Sequence, residues 1–299
     1  MVPMSASDGG TGMPTWLDVL AFARHAEELA FDSLWVCDHF ISDPGDRPTE
    51  GIYEAWTILS ALAASTTRIE LGQLVLCASF RSPGLLAKMA ATADAVSGGR
   101  LLVGLGAGWY DAEFRAFGYP SDHRVSRLEE AIQILNGLLD GHRVTFNGRF
   151  HAVQDAELLP RPARRIPVLV AGDGPRMLQI TAKHASAWNT AWFGAPDDRL
   201  QERLAGLAAV LDANGRDPAT LRRTVGVWVE DPDVVPVARS DPVAFRGSVD
   251  ALSLVLQAYE RLAIDDLIVG LTPMSRPSLD RLARAREAWL GSTPSATRL

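Results

Sequence analysis

A single (β/α)8 TIM barrel, α/β throughout, is the fold this chain predicts, and three observations point to it. Strand and helix signals alternate about every 30–40 residues, the pattern of βα units around a parallel sheet. Leu101, Leu102, Val103 and Leu105 form an apolar run that suits a strand covered on both faces. Glycines gather at strand ends, with Gly104, Gly106 and Gly108 in one place and Gly172 and Gly174 in another. Bare backbone there lets a flat or anionic ligand approach closely. A doubly wound open sheet is the runner-up. Against it, Gly104-x-Gly106-x-Gly108 is not the GxGxxG fingerprint, and no acidic residue follows the next strand as that fold requires.

Taken in order, Val19, Phe22, Ala23, Ala26, Leu29 and Ala30 lie at helical spacing, with Arg24, His25, Glu27 and Glu28 facing outward. Asp32–Asp38 reads as a strand, Tyr53–Ala64 as a helix and Ile69–Cys77 as the next strand. Ser82-Pro83 starts a helix, a capping side chain followed by proline at the first helical position. The glycine-tipped strand follows. Leu128, Ala131, Ile132, Leu135, Leu138 and Leu139 then make the cleanest amphipathic stripe, with Ser126 and Glu129 at capping-box spacing before it. Residues 144–153 form a hairpin around Asn147-Gly148, outside the main repeat.

Strands are expected at Pro167–Ala171, Ala187–Thr190, Thr224–Val229 and Asp266–Gly270, and helices at Pro175–His184, Asp198–Asn214, Ser248–Ala263 and Ser278–Leu290. Residues 1–299 thus read as one domain. An eight-unit barrel needs one more strand before the first helix, where only Met1-Val2-Pro3-Met4 stand. The expectation is a start upstream with Met1 inside strand one; a short remnant strand is the alternative.

With 47% hydrophobic residues the chain can bury a large core, and its net charge of -7 offers no basic field to nucleic acid or an anionic membrane. No apolar run reaches the ~18–20 residues that span a bilayer. Cys37 and Cys77 form no framework or CxxC pair, so the chain reads as cytoplasmic. There is no GxSxG elbow, Walker loop or HExxH, and the scattered histidines make no readable metal site. A barrel so poor in acid-base groups relies on a cofactor for the difficult step.

Gly172-Asp173-Gly174-Pro175-Arg176, after Ala171, is the best anion site, since it leads a strand end into a helix whose first-turn amides are free for phosphate. Arg176 adds charge, while Asp173 argues against phosphate unless it turns outward. His39 follows Asp38 at a strand end, where an imidazole can relay a proton; a buried, carbonyl-bonded histidine is the plainer reading. Cys77 reads more readily as a small buried hydrophobe than as a nucleophile. Trp109 and Trp192 follow strand ends and are better substrate-pocket candidates than Trp56 or Trp188.

The segments AEELAFDSLWVCDHF, IELGQLVL, SPGLLAKMAATADAVSGGRLLVGLGAGWYDAEFRAFGYP, RLEEAIQILNGLL and PVLVAGDGPRML carry a resemblance to a known family. With them the chain resembles the luciferase-like monooxygenases, in particular the branch dependent on the deazaflavin coenzyme F-420. The resemblance runs from about Trp16 to Asn189 and more faintly to Val269, and Lys88–Gly118 is its most specific part. It implies a luciferase-like barrel with a cofactor across the strand ends. A non-prolyl cis peptide bulge near Leu76-Cys77-Ala78 would press on the ring, and Gly106 is a further cofactor-binding candidate. The cofactor phosphate would sit on Gly172–Arg176, and His39 would lie near the reactive ring. Dimerisation is common in the family, so a homodimer is the implied assembly.

Three departures stand out. Asp43 and Trp109 hold the places of a tryptophan and a glutamate found in the family's sugar-phosphate dehydrogenases, and Ala30 stands where glycine is usual. The expected function is therefore coenzyme F-420-dependent hydride transfer to or from a small organic substrate that the sequence does not name. An FMN-dependent monooxygenase and a non-catalytic flavin- or deazaflavin-binding protein are the alternatives. Scarce lysine, with only Lys88 and Lys183, points to a GC-rich genome of the kind that makes the deazaflavin.

Overall fold

The computed structural model describes residues 1–9, 12–42, 50–235 and 241–292; Asp43 lies outside them. The chain begins with α1 (Ala6–Gly9) and α2 (Trp16–Glu28), whose stripe of Val19, Phe22, Ala23 and Ala26 is buried and whose first turn is closed by a Thr15–Asp18 capping box. Next come β1 (Ser33–Val36), the antiparallel pair β2 (Ile41–Ser42) and β3 (Glu50–Gly51), α3 (Ala55–Ser65), β4 (Glu70–Gln73) and β5 (Leu76–Cys77). Helix α4 (Pro83–Ser97) starts at the Ser82 cap with Pro83 in its first turn, and ends at Gly98 with φ 69°.

Strand β6 (Leu101–Gly106) is buried at every position. It leads into α5 (Asp111–Phe117), α6 (Arg124–Leu139) and the hairpin β7 (Val144–Asn147) and β8 (Ala152–Ala156). The alternation resumes with β9 (Val168–Ala171), α7 (Pro175–His184), β10 (Ala187–Phe193), α8 (Asp198–Ala213), β11 (Arg222–Glu230), β12 (Phe245–Arg246), α9 (Val249–Arg261), β13 (Asp266–Thr272) and α10 (Arg276–Ser292).

All seven strands expected for the barrel are present and parallel, in the order β1-β4-β6-β9-β10-β11-β13. The sheet is curled: Trp35 of β1, Leu102 of β6, Leu169 of β9, Ala187 of β10 and Ile268 of β13 pack into one interior cluster. Helices cover the outer face over a larger apolar core. Trp35 fits the interior because β4 offers Gly72 opposite it; a Cβ there would lie 2.5 Å from its ring.

A closed eight-stranded barrel is not what the ladders describe. Among the described residues, β1 and β13 do not pair with each other, and Met1–Met4 form no eighth strand. The seam is crossed by two backbone bonds, from the Met1 nitrogen to the Val269 oxygen at 2.7 Å and from the Val2 nitrogen to the Trp35 oxygen at 3.0 Å.

Three local readings are corrected. Non-prolyl cis peptides lie at Leu74–Val75 and Ala191–Trp192, not at Leu76-Cys77-Ala78, and the first falls where the expected strand Ile69–Cys77 divides into β4 and β5. Ser126 and Glu129 make no capping box, because α6 already begins at Arg124 after His123. Trp192 lies inside β10 rather than beyond its end. Ala30, in the place of a usual glycine, has φ 59°.

Candidate active site

The carboxyl ends of the parallel strands surround a cavity of about 360 Å³. Its walls include Cys37, Asp38 and His39 after β1, the strap Leu74–Cys77, Trp109 and Tyr110 after β6, Ala171, Trp192 and Trp228. A wider cleft of about 920 Å³ opens at the opposite, amino end of the strands. Its charges are spent on one another: Arg222 pairs with Asp266 and Glu70, and Arg223 with Asp265. Ion pairs at the amino end fit the face of this architecture that serves stability, so the chemistry is assigned to the first cavity.

The glycines at the β6 tip do not form the bare bed their spacing suggests. A Cβ on Gly104 would lie 1.9 Å from the Gln73 carbonyl oxygen, and one on Gly106 would lie 2.6 Å from Val75. These positions are empty of side chain so that the protein's own strap can cross them. Gly106 is therefore buried beneath Val75, while Leu76 and Cys77 reach the cavity wall. Gly108, with φ 81°, gives way to the Cys77 sulfur, which its Cβ would meet at 2.6 Å. Burial pushes the Cys77 thiol up to about 12, aided by the nearby Asp38 and Glu113 charges. That rules against a thiolate nucleophile at neutral pH.

Asp38 anchors the strap. Its carboxylate accepts from the Cys77 amide at 2.9 Å and from both terminal nitrogens of Arg81, at 2.7 and 2.9 Å. Arg81 also reaches Glu54, the N-cap of α3, at 2.6 Å. This two-pronged pairing links three elements behind the cavity wall.

His39 faces the cavity, and its partner is a residue that sequence reading missed. The His39 Nδ1 lies 3.0 Å from Oε2 of Glu113 on α5, and the other carboxylate oxygen accepts from the amides of Phe40 at 2.5 Å and Ile41 at 3.2 Å. Burial opposes ionisation of Glu113, but the His39 and backbone donors outweigh it and hold the carboxyl below its usual range. The glycine turn has Trp109 where a glutamate was sought; the glutamate stands one helical turn later. Trp109, exposed, sets its ring edge-on to His39 with centroids 5.7 Å apart. Trp192 meets Trp228 edge-on at 5.1 Å in the cavity wall. Trp56 and Trp188, which the sequence left open between pocket and core, are core.

Ala171 leads from the cavity into the loop expected to hold an anion. Gly172 has φ 139°, Gly174 is the N-cap of α7 with no side-chain cap, and a Cβ on Gly174 would meet nothing within 4 Å. An uncapped helix start beside open space fits a phosphate. Asp173 is turned to Arg203 at 2.5 Å, which removes the objection its charge raised. The Arg176 guanidinium turns from the loop to α6, where it pairs with Glu129 at 2.6 Å and donates to Ser126.

A cavity at the strand ends of a curled parallel sheet thus has a histidine–carboxylate pair in its wall and lies one loop away from an open helix start. The luciferase-like monooxygenase family model matches residues 2–245, and the chain belongs to that family. It is 33% identical over 205 residues to an F420-dependent glucose-6-phosphate dehydrogenase of Microbacterium testaceum, covering 67% of this chain and 60% of that one. The chain thus spans between half and two thirds of the length of the curated relatives it matches. An F420-dependent secondary alcohol dehydrogenase bound to an F420-acetone adduct superposes with a TM-score of 0.78 at 20% identity, over 92% of this chain and 96% of that chain. Riboflavin lyase with modified FMN superposes at 0.80 and 15% identity, over 99% and 91%. At those identities the two structures support the fold alone.

Proposed function

We propose that this chain is an oxidoreductase that binds coenzyme F-420 across its strand ends and exchanges a hydride with a small organic substrate. The observation that carries the reading is His39, held by a buried carboxylate at the wall of a cavity that Ala171, the last residue of the strand leading to α7, also lines. The likeness to F420-dependent relatives supports the choice of coenzyme. When bound, the coenzyme supplies the hydride-transfer carbon. Within the Gly172–Arg176 loop, the amides of Asp173, Gly174 and Arg176 hold its charged tail, since Gly172 donates to the Asn189 oxygen and Pro175 has no N–H, and Ala171, Leu76 and Cys77 wall its ring. His39 accepts or donates the proton at the substrate oxygen through Nε2. Trp109 and Trp192 flank the substrate and limit water. The reading includes one domain over residues 1–299, a barrel closed along the line of Met1 and Val2, a cytoplasmic setting and a homodimer.

Difference spectra on adding each oxidised cofactor test this directly. Binding of F-420 and its reduction by an organic donor are expected. Binding of FMN alone turns the reading into an FMN-dependent monooxygenase, and binding without reduction by any donor turns it into a non-catalytic carrier. Gly174→Asp caps α7 but meets the phosphate with like charge, so affinity falls on the order of tenfold while the fold holds. Unchanged affinity would move the anion site elsewhere.

A further inference from the structure

We infer that Glu113 is the positioning residue of this site: it holds His39 as the Nδ1–H tautomer and so leaves the Nε2 lone pair for the substrate. The inference rests on the proposed role of His39 and assigns a function to a carboxylate that sequence reading had left out.

Both oxygens of Glu113 are committed, Oε2 to the imidazole and Oε1 to the Phe40 and Ile41 amides. The side chain is 2% exposed against 30% for His39. An ionised carboxylate only accepts hydrogen bonds, so the hydrogen of the neutral ring must sit on Nδ1. No described residue partners Nε2. The ring is flanked by Trp109 and by Tyr110, whose centroid lies 6.5 Å away.

Glu113 is itself fixed in place. Helix α5 is tied to α6 by the Asp111–Arg124 ion pair, and Arg124 stacks 4.3 Å over the ring of Phe114. Phe114 is buried against Phe80, with centroids 5.2 Å apart. The carboxylate therefore enters from a rigid element, while His39 stands on the loop after β1. The same carboxylate staples that loop through two amides, so loop position and tautomer are set together.

Glu113→Gln separates these jobs. An amide has one acceptor oxygen and one donor nitrogen. If the oxygen keeps the Phe40 and Ile41 amides, the nitrogen faces Nδ1, which must then accept, and the ring hydrogen moves to Nε2. The proton-handling nitrogen is then blocked in the ground state.

The test is ¹⁵N NMR of the imidazoles in the cofactor-free protein, with His39 assigned by the signal missing in His39→Asn. The wild type is expected to show the Nδ1–H pattern and Glu113→Gln the Nε2–H pattern. In turnover, kcat of Glu113→Gln falls on the order of a hundredfold with KM little changed, and Glu113→Asp restores part of it. An Nε2–H pattern in the wild type overturns the inference even if the variant does not fold, as does a variant that keeps Nδ1–H. If His39→Asn turns over normally while the wild type shows Nδ1–H, the acid-base role fails and the positioning stands.

Discussion

An alanine methyl at Gly104 would sit 1.9 Å from the Gln73 carbonyl oxygen, and backbone pinned by Asp38 at one end and by β4 at the other cannot retreat. Gly104→Ala should cost about 3 kcal/mol in urea unfolding, whereas Gly174→Ala, facing open space, should stay within about 0.5 kcal/mol. Equal stabilities would mean the strap does not cross β6 there. Glu113 offers a second measurement. Its folded carboxyl is held below the ordinary value. The stability it contributes is therefore complete above the unfolded value near about 4.3 and lost as pH falls through the folded one. The Tm of the wild type should drop more steeply below about pH 4 than that of Glu113→Gln; parallel curves would show that the carboxylate adds no pH-dependent stability.

Elements are joined here by side chains that satisfy exposed backbone ends. Glu27, near the end of α2, accepts from the amides of Thr67, Arg68 and Ile69 at 2.9, 2.6 and 2.9 Å, so one carboxylate seats the entry to β4. Glu27→Ala should lower the unfolding free energy by about 2 kcal/mol, seen as a lower denaturation midpoint at unchanged slope, and Glu28→Ala, one residue on and exposed, by less than about 0.5 kcal/mol. A slope change would mean the denatured state, not the joint, had altered. Helices with two or more turns of apolar spacing, such as α6, were legible. Helix α5 was not, because its 7 residues are too few to establish a period. With α5 went Glu113.

The whole sheet curls around one interior, yet among the described residues β1 and β13 form no ladder with each other, and backbone bonds from Met1 and Val2 cross the seam. Seam-facing amides of β1 and β13 should exchange with solvent faster than those of β6 and β9, which have strands on both sides. Hydrogen exchange read by mass spectrometry would decide this; equal protection at seam and centre would mean the edges are closed by further pairing.

What the residues determined alone are the local properties: seven apolar strands alternating with helices, the Ser82-Pro83 start, the glycine-flanked loop before α7 and the motif run that places the chain in its family. Each depends on neighbours within a few positions, where spacing and capping act directly. Tertiary structure alone decided that Gly104 and Gly106 yield to the chain's own strap, that Arg176 turns to Glu129, and that His39 meets Glu113 across 74 positions. Those outcomes depend on how parallel strands register and bring separate loops to the same end of the sheet, and no local periodicity encodes that meeting.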